Sequence, residues 1–178
     1  GNLRTWCMRE LKLPDDAAIE RAFNDRPGPA PGLMVLPFWT AERAPTWNED
    51  KTGAIIGITQ HTTALAMLQA ITEGSYQRLA RIAEIVLADE DKPPKFIVSG
   101  GIQRSPMALQ RLADVLGHSV HANEEMEASI RGAAIYVVEK LGWTPPPAKF
   151  GEAVKPRAKY ARLYAEAREW QRELEEKI

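Results

Sequence analysis

The run KFIVSGGIQRSP, residues 95 to 106, sets the tightest limit on what this chain can fold into. Phe96 to Ser99 read as a strand, two adjacent glycines break it, and Ser105 with Pro106 starts a helix. Serine is a strong N-cap, and proline at the first helical position gives up an N–H that has no intrahelical partner. Leu109, Leu112, Ala113 and Leu116 then recur at helical spacing until Gly117 stops the helix. A strand that runs through a glycine turn into a helix belongs to a layered α/β fold, and the rest of the chain repeats the alternation.

LMVLPFW (33–39) predicts a strand ending at Pro37, GAIIGIT (53–59) a second and SVHA (119–122) a short third. Residues 62–88 predict the longest helix of the main body. Gly74 inside it costs roughly 1 kcal/mol against alanine, which points to a tight packing contact or a helix break. An amphipathic helix is expected over 2–12, closed by Pro14, and a further helix over 130–142, with Asn123 or Ser129 as its cap. RPGPAPG (26–32) is a stiff loop, and 40–53 is polar and irregular. WTPPPAKFGEAVKP (143–156) reads as a proline-rich connector. Beyond it Tyr160, Leu163, Tyr164, Ala167, Trp170 and Leu174 predict a tail helix that docks on something. The expected division is a main lobe over 1–142 and a connector with its helix over 143–178.

The 23 basic and 24 acidic residues leave a formal charge of -1, which provides no general attraction to nucleic acid or to an anionic membrane. With 44% apolar residues in 178, the chain can bury a core without metal or disulfide staples. Cys7 is the only cysteine, so an internal disulfide and a multi-cysteine zinc site are excluded, and a reducing cytoplasmic setting fits. No apolar run approaches the roughly 20 residues of a membrane span. Gly1 opens the sequence without an initiator methionine or a secretory leader, and the expectation is a piece of a longer protein or a tag remnant.

A strand–Gly–Gly–helix turn aims unpaired N–H groups and the positive end of a helix at the carboxyl edge of a sheet, where α/β folds bind ligands. Glycines let a flat ring or a phosphate come against the main chain. The run has neither GxGxxG spacing nor a P-loop lysine, so an ordinary turn stays open as a reading. Gly132, Ala133 and Ala134 would let the following helix approach a neighbour or a ligand closely, and simple helix-on-sheet packing accounts for them as well.

SGGIQRSPMALQRLADVLGHSV, EASIRGAAIYV, LPFWTAERAPTWN, GAIIGI and AITEG together resemble the carboxyl-terminal domain of the FGGY-type carbohydrate kinases over about residues 1–142. The resemblance implies part of a ribonuclease-H-like lobe of the actin/hexokinase ATPase type, an α/β sheet flanked by helices, here followed by a C-terminal amphipathic helix. It implies ATP, with Mg2+, as the phosphate donor and a sugar, polyol or sugar acid as acceptor. RAPTWN looks most like the gluconate kinase branch. The implied partners are ATP or ADP, a small carbohydrate and an N-terminal lobe; nucleic acid and membrane are not expected, and an open sheet edge or apolar interface would favour a homo-oligomer.

Residue by residue, the resemblance places Gly100, Gly101 and Ile102 against adenosine. Ser105 falls at the family's adenine contact, with helix capping as its other role. GNLRTW resembles the ribose and phosphate segment, which puts Gly1 and Thr5 in the nucleotide cleft; Thr5 stands where some members have a longer amide. Glu42 and Arg43 lie where the family usually has Gly-Glu-Arg, Ala41 replacing the glycine, and form either a substrate contact or a structural ion pair that pins the loop. Ala66 and Thr72 depart from the family's second signature. The family's catalytic aspartate belongs to a motif upstream of GNLRTW. Asp15, Asp16, Asp50 and Asp114 match no such motif and read as turn, cap or solvated-face residues, so no catalytic residue is assigned and the isolated chain is expected to be inactive. Arg104, His118 and His121 read as surface residues. The alternative is a non-catalytic actin-like module for protein association, with the tail helix as its docking face.

Overall fold

The computed structural model describes residues 2–89, 91, 94–125 and 127–177. The elements run α1 (Asn2–Glu10), α2 (Asp16–Asp25), β1 (Met34–Leu36), β2 (Ala54–Ile56), α3 (Ala64–Val86), β3 (Phe96–Val98), a 3-10 helix (Gly101–Arg104), α4 (Pro106–Leu116), β4 (Val120–Asn123), α5 (Ala128–Lys140), β5 (Phe150–Val154) and α6 (Ala158–Glu175). β1 and β2 form an antiparallel pair, and a second sheet has the order β3-β4-β5. In that sheet β3 and β4 are parallel, joined by α4, and β4 and β5 are antiparallel.

Side-chain patterning explains the packing. All three residues of β1 are buried, and α3 lies so close that a Cβ on Gly74 would sit 2.8 Å from the Val35 carbonyl oxygen. Gly74 therefore marks a close approach, and α3 runs through it unbroken. Cys7, Ile19, Phe23, Val35, Leu68 and Ile71 join α1, α2, β1 and α3 in one cluster. Leu112, Ala113 and Val120 pack α4 on the second sheet, with Phe96 and Val98 against them. Gly117 ends α4 with φ 69°, the left-handed C-cap expected of it.

At the centre, polar groups replace apolar ones. Arg111 on α4, only 1% exposed, is ion-paired with Glu73 on α3. The same guanidinium donates to the carbonyls of Phe23 (3.1 Å), Arg26 (2.6 Å) and Gly28 (3.1 Å) and to the Tyr164 hydroxyl (2.8 Å). Glu73 accepts further bonds from the Ala30 N–H (2.8 Å), the Gln69 amide (2.9 Å) and Tyr164 (2.8 Å). The stiff loop at 26–32 is thus held through its own backbone groups. Burial pushes the Glu73 carboxyl upward, and Arg111 and these donors pull it back. The Tyr164 phenol is raised by burial and by the adjoining Glu73, which keeps it protonated.

Several expectations need correction. α5 starts behind Glu127 without a side-chain cap, so neither Asn123 nor Ser129 caps it. α2 was not anticipated; Asp15 caps it by accepting from the Ala18 N–H at 2.7 Å. The stretch taken as connector contains β5, which extends the second sheet. Asp114 is no solvated-face residue: it is fully buried, accepting from the Arg157 N–H (2.7 Å), the Arg157 guanidinium (2.5 Å) and Gln110 (3.1 Å). It ties the start of α6 to the last turn of α4.

Candidate nucleotide shelf at the start of α4

The shelf is built from the end of β3. Gly100 has φ 89° and ψ -161°, a conformation that essentially only glycine adopts. Its carbonyl accepts from the Gln103 N–H at 3.1 Å, and the Gln103 side chain closes back on the Val98 carbonyl at 3.0 Å. The N–H groups of Gly101 and Ile102 open the 3-10 helix and so lie ahead of its hydrogen-bond ladder. Both glycines are exposed, and a Cβ on either would meet no heavy atom within 4 Å. The result is an open platform at the carboxyl end of a strand. Two clefts bordering α6, of about 270 and 470 Å³, lie away from it.

Ser105 caps α4: its hydroxyl oxygen accepts from the Ala108 N–H at 3.0 Å. The same hydroxyl donates to Glu20 Oε2 at 2.5 Å, and Glu20 Oε1 accepts from the Met107 N–H at 2.8 Å. Sequence reading missed Glu20, which lies 85 positions away on α2. One local signal was available. A capping box has Glu or Gln three residues after the cap, and here that position is Ala108. The carboxylate for the helix start comes instead from a neighbouring helix.

α1 brings the GNLRTW segment alongside. Leu3, Trp6 and Met107 pack on the same cluster, so α1 and the first turn of α4 share one apolar patch, and Arg4 pairs with Asp16 of α2 at 2.5 Å. Thr5 lies on the exposed side of α1. Gly1 lies outside the described residues.

The Glu42–Arg43 pair does not form. Glu42 is buried and ion-paired with Arg78 of α3 and with Lys51 (3.3 Å), and Thr46 donates to it. Arg43 is exposed and has no ion pair among the described residues. Arg78 also reaches Glu175 of α6 at 2.9 Å, so the cluster fastens the 40–53 loop to two helices. Ala41, standing where the resemblance expects glycine, keeps φ 59°, so the glycine-like turn survives the substitution. Gly132 meets no neighbour within 4 Å, and α5 buries no residue. Ala133 and Ala134 are likewise exposed.

Among the described residues, no group of three or more His, Cys, Asp or Glu is placed to hold a metal ion, and no helix is long and apolar enough to cross a membrane.

Residues 1–138 match the model of the FGGY family of carbohydrate kinases, C-terminal domain. A glycerol kinase from Alteromonas mediterranea is 31% identical over 129 residues, covering 72% of this chain and 26% of that protein. A gluconokinase from Bacillus licheniformis is 34% identical over 123 residues, covering 68% of this chain and 24% of the relative. The chain therefore spans about a quarter of the length of these relatives. The crystal structure of xylulose kinase from Rhodospirillum rubrum superposes with a TM-score of 0.76 over 96% of this chain and 36% of that one, at 21% identity. The fold is that of the ribonuclease-H-like actin/hexokinase ATPases. With its open glycine turn between β3 and α4, this chain belongs to the FGGY family of carbohydrate kinases, as a C-terminal domain.

Proposed function

We propose that the chain is the ATP-binding part of a kinase that moves the γ-phosphate of ATP to a hydroxyl of a sugar, polyol or sugar acid, with a gluconate-like acceptor as the first choice. The observation that carries this is the open Gly100–Gly101 shelf, whose missing Cβ atoms leave room for a flat ring on the main chain. Adenosine rests on Gly100, Gly101 and Ile102 with Ser105 at the ring, and Thr5 and Gly1 are assigned to ribose and phosphate. Mg2+ in such a reaction offsets charge on the phosphates, and no residue of this chain is assigned to it.

The lobe over 1–142 carries the nucleotide contacts; residues 143–178 brace it through Arg157 and Tyr164. An N-terminal lobe supplies the acceptor base. The engagement of the buried acidic side chains supports that assignment: Glu42, Glu73 and Asp114 each face an arginine. The exposed Ile130, Tyr136, Val137, Leu141 and Trp143 on and after α5 support a contact with the rest of the parent protein. A single buried thiol and ATP dependence suit the cytoplasm.

Alone, the chain is expected to give no turnover with gluconate, xylulose or glycerol in a coupled ADP-release assay, and to bind adenine nucleotides weakly. Phosphorylation above a no-enzyme control, or tight magnesium-dependent binding by calorimetry, contradicts the proposal. Gly101→Val tests the shelf itself. A side chain there meets open space, so stability should change by no more than about 0.5 kcal/mol, while adenosine shifts in NMR titrations should vanish. Undiminished shifts in that variant would place the nucleotide elsewhere.

A further inference from the structure

A serine hydroxyl has one proton and two lone pairs and ordinarily rotates to suit its partner. Ser105 has lost that freedom. Its proton goes to Glu20 Oε2 at 2.5 Å, and one lone pair takes the Ala108 N–H at 3.0 Å. One lone pair remains, so toward the shelf the group can only accept. The carboxylate of Glu20 has no proton to give back. It is held in place by the Met107 N–H at 2.8 Å and by the positive end of α4.

We propose that Glu20 sets the base preference of the shelf: by fixing Ser105 as an acceptor, it selects a purine that presents an amino group at the six position and disfavours one that presents a carbonyl there. This rests on the adenosine reading above and goes beyond it, since that reading leaves the hydroxyl free to serve either base. Against a six-carbonyl purine, two acceptors would face each other with no proton between them. Glu20 is a positioning residue, acting on the ligand through Ser105. It comes from α2 and lies half-buried, so the preference is built by packing α2 against the start of α4.

The test compares adenosine, inosine and N6,N6-dimethyladenosine on the 15N-labelled chain by NMR titration. The chain should bind adenosine about tenfold more tightly than either of the others, the scale of one hydrogen bond lost to an unpaired acceptor. In Glu20→Gln the side-chain amide can turn an N–H toward Ser105 and release the hydroxyl proton. Inosine should then bind as well as adenosine, while the fold, followed by circular dichroism, is unchanged. A cap of purely structural importance would weaken all three ligands together and leave their ratio alone. Equal binding of adenosine and inosine by the parent chain, or a ratio unchanged in Glu20→Gln, overturns the inference and leaves the adenosine shelf standing. Absence of binding by all three removes the shelf, and this inference with it.

Discussion

Arg111→Met is expected to destabilise the chain by about 3–5 kcal/mol, the usual cost of removing one partner from a buried ion pair. Methionine fills most of the space, so the loss is electrostatic. Glu73 would keep its bonds from Ala30, Gln69 and Tyr164 but lose the cation beside it, and the carbonyls of Phe23, Arg26 and Gly28 would lose their donor. Since a domain of this size has a net stability of about 5–15 kcal/mol, a large share of it would go. Urea unfolding followed by circular dichroism measures the effect. Tyr164→Phe, which removes one hydroxyl from the same cluster, should cost only about 1 kcal/mol. The double variant Glu73→Gln with Arg111→Met should lose less than its two single changes summed, because the groups share partners. A loss below about 1 kcal/mol for Arg111→Met would mean that water reaches the cluster and shields it.

Gly57→Ala is expected to cost about 3 kcal/mol, combining an unfavourable backbone conformation with overpacking. Gly57 follows β2 with φ 88°, and a Cβ there would fall 1.9 Å from the Gly32 carbonyl oxygen. Gly32→Ala is the internal control. Its φ is 68°, but its Cβ would meet nothing within 4 Å, so only the conformational part, about 1 kcal/mol, should be lost. Denaturation midpoints of the two variants separate the terms. Equal losses would show that the two loops move apart at little cost, and that β1 and β2 are not held together at this crossing.

Elements with strong local chemistry were legible in the sequence. The stop at Gly117, the Ser-Pro start of α4 and the glycine contact on α3 each follow from a single residue's backbone preference, and each is present. What failed depended on partners distant in sequence. β5 reads as a loop because FGEAV has only a weak alternating pattern and proline on both sides; pairing with β4 makes it a strand. Arg111 and Asp114 flank Leu112 and Ala113 on α4, where charged residues normally mark the wet face. Their burial could not be seen without Glu73 and Arg157. In the TAERAPTWN loop a neighbouring arginine was the natural guess for Glu42, yet the backbone turn at Ala41 sends that carboxylate inward to α3. The glycine turn after β3 was readable from local rules. Glu20 was not, because its role exists only once α2 lies against the start of α4.

The tail helix also bears on the order in which the chain can mature. Synthesis from the amino end delivers Glu73 and Arg111 well before Tyr164, which stands 91 and 53 positions beyond them, and Gln171, which bonds the Val35 carbonyl at 2.7 Å, comes 136 positions after its partner. Until α6 leaves the ribosome, Asp114 lacks Arg157 and the central ion pair lacks its phenol. A nascent chain can therefore form its glycine turn early, but the central cluster is completed only once α6 has emerged.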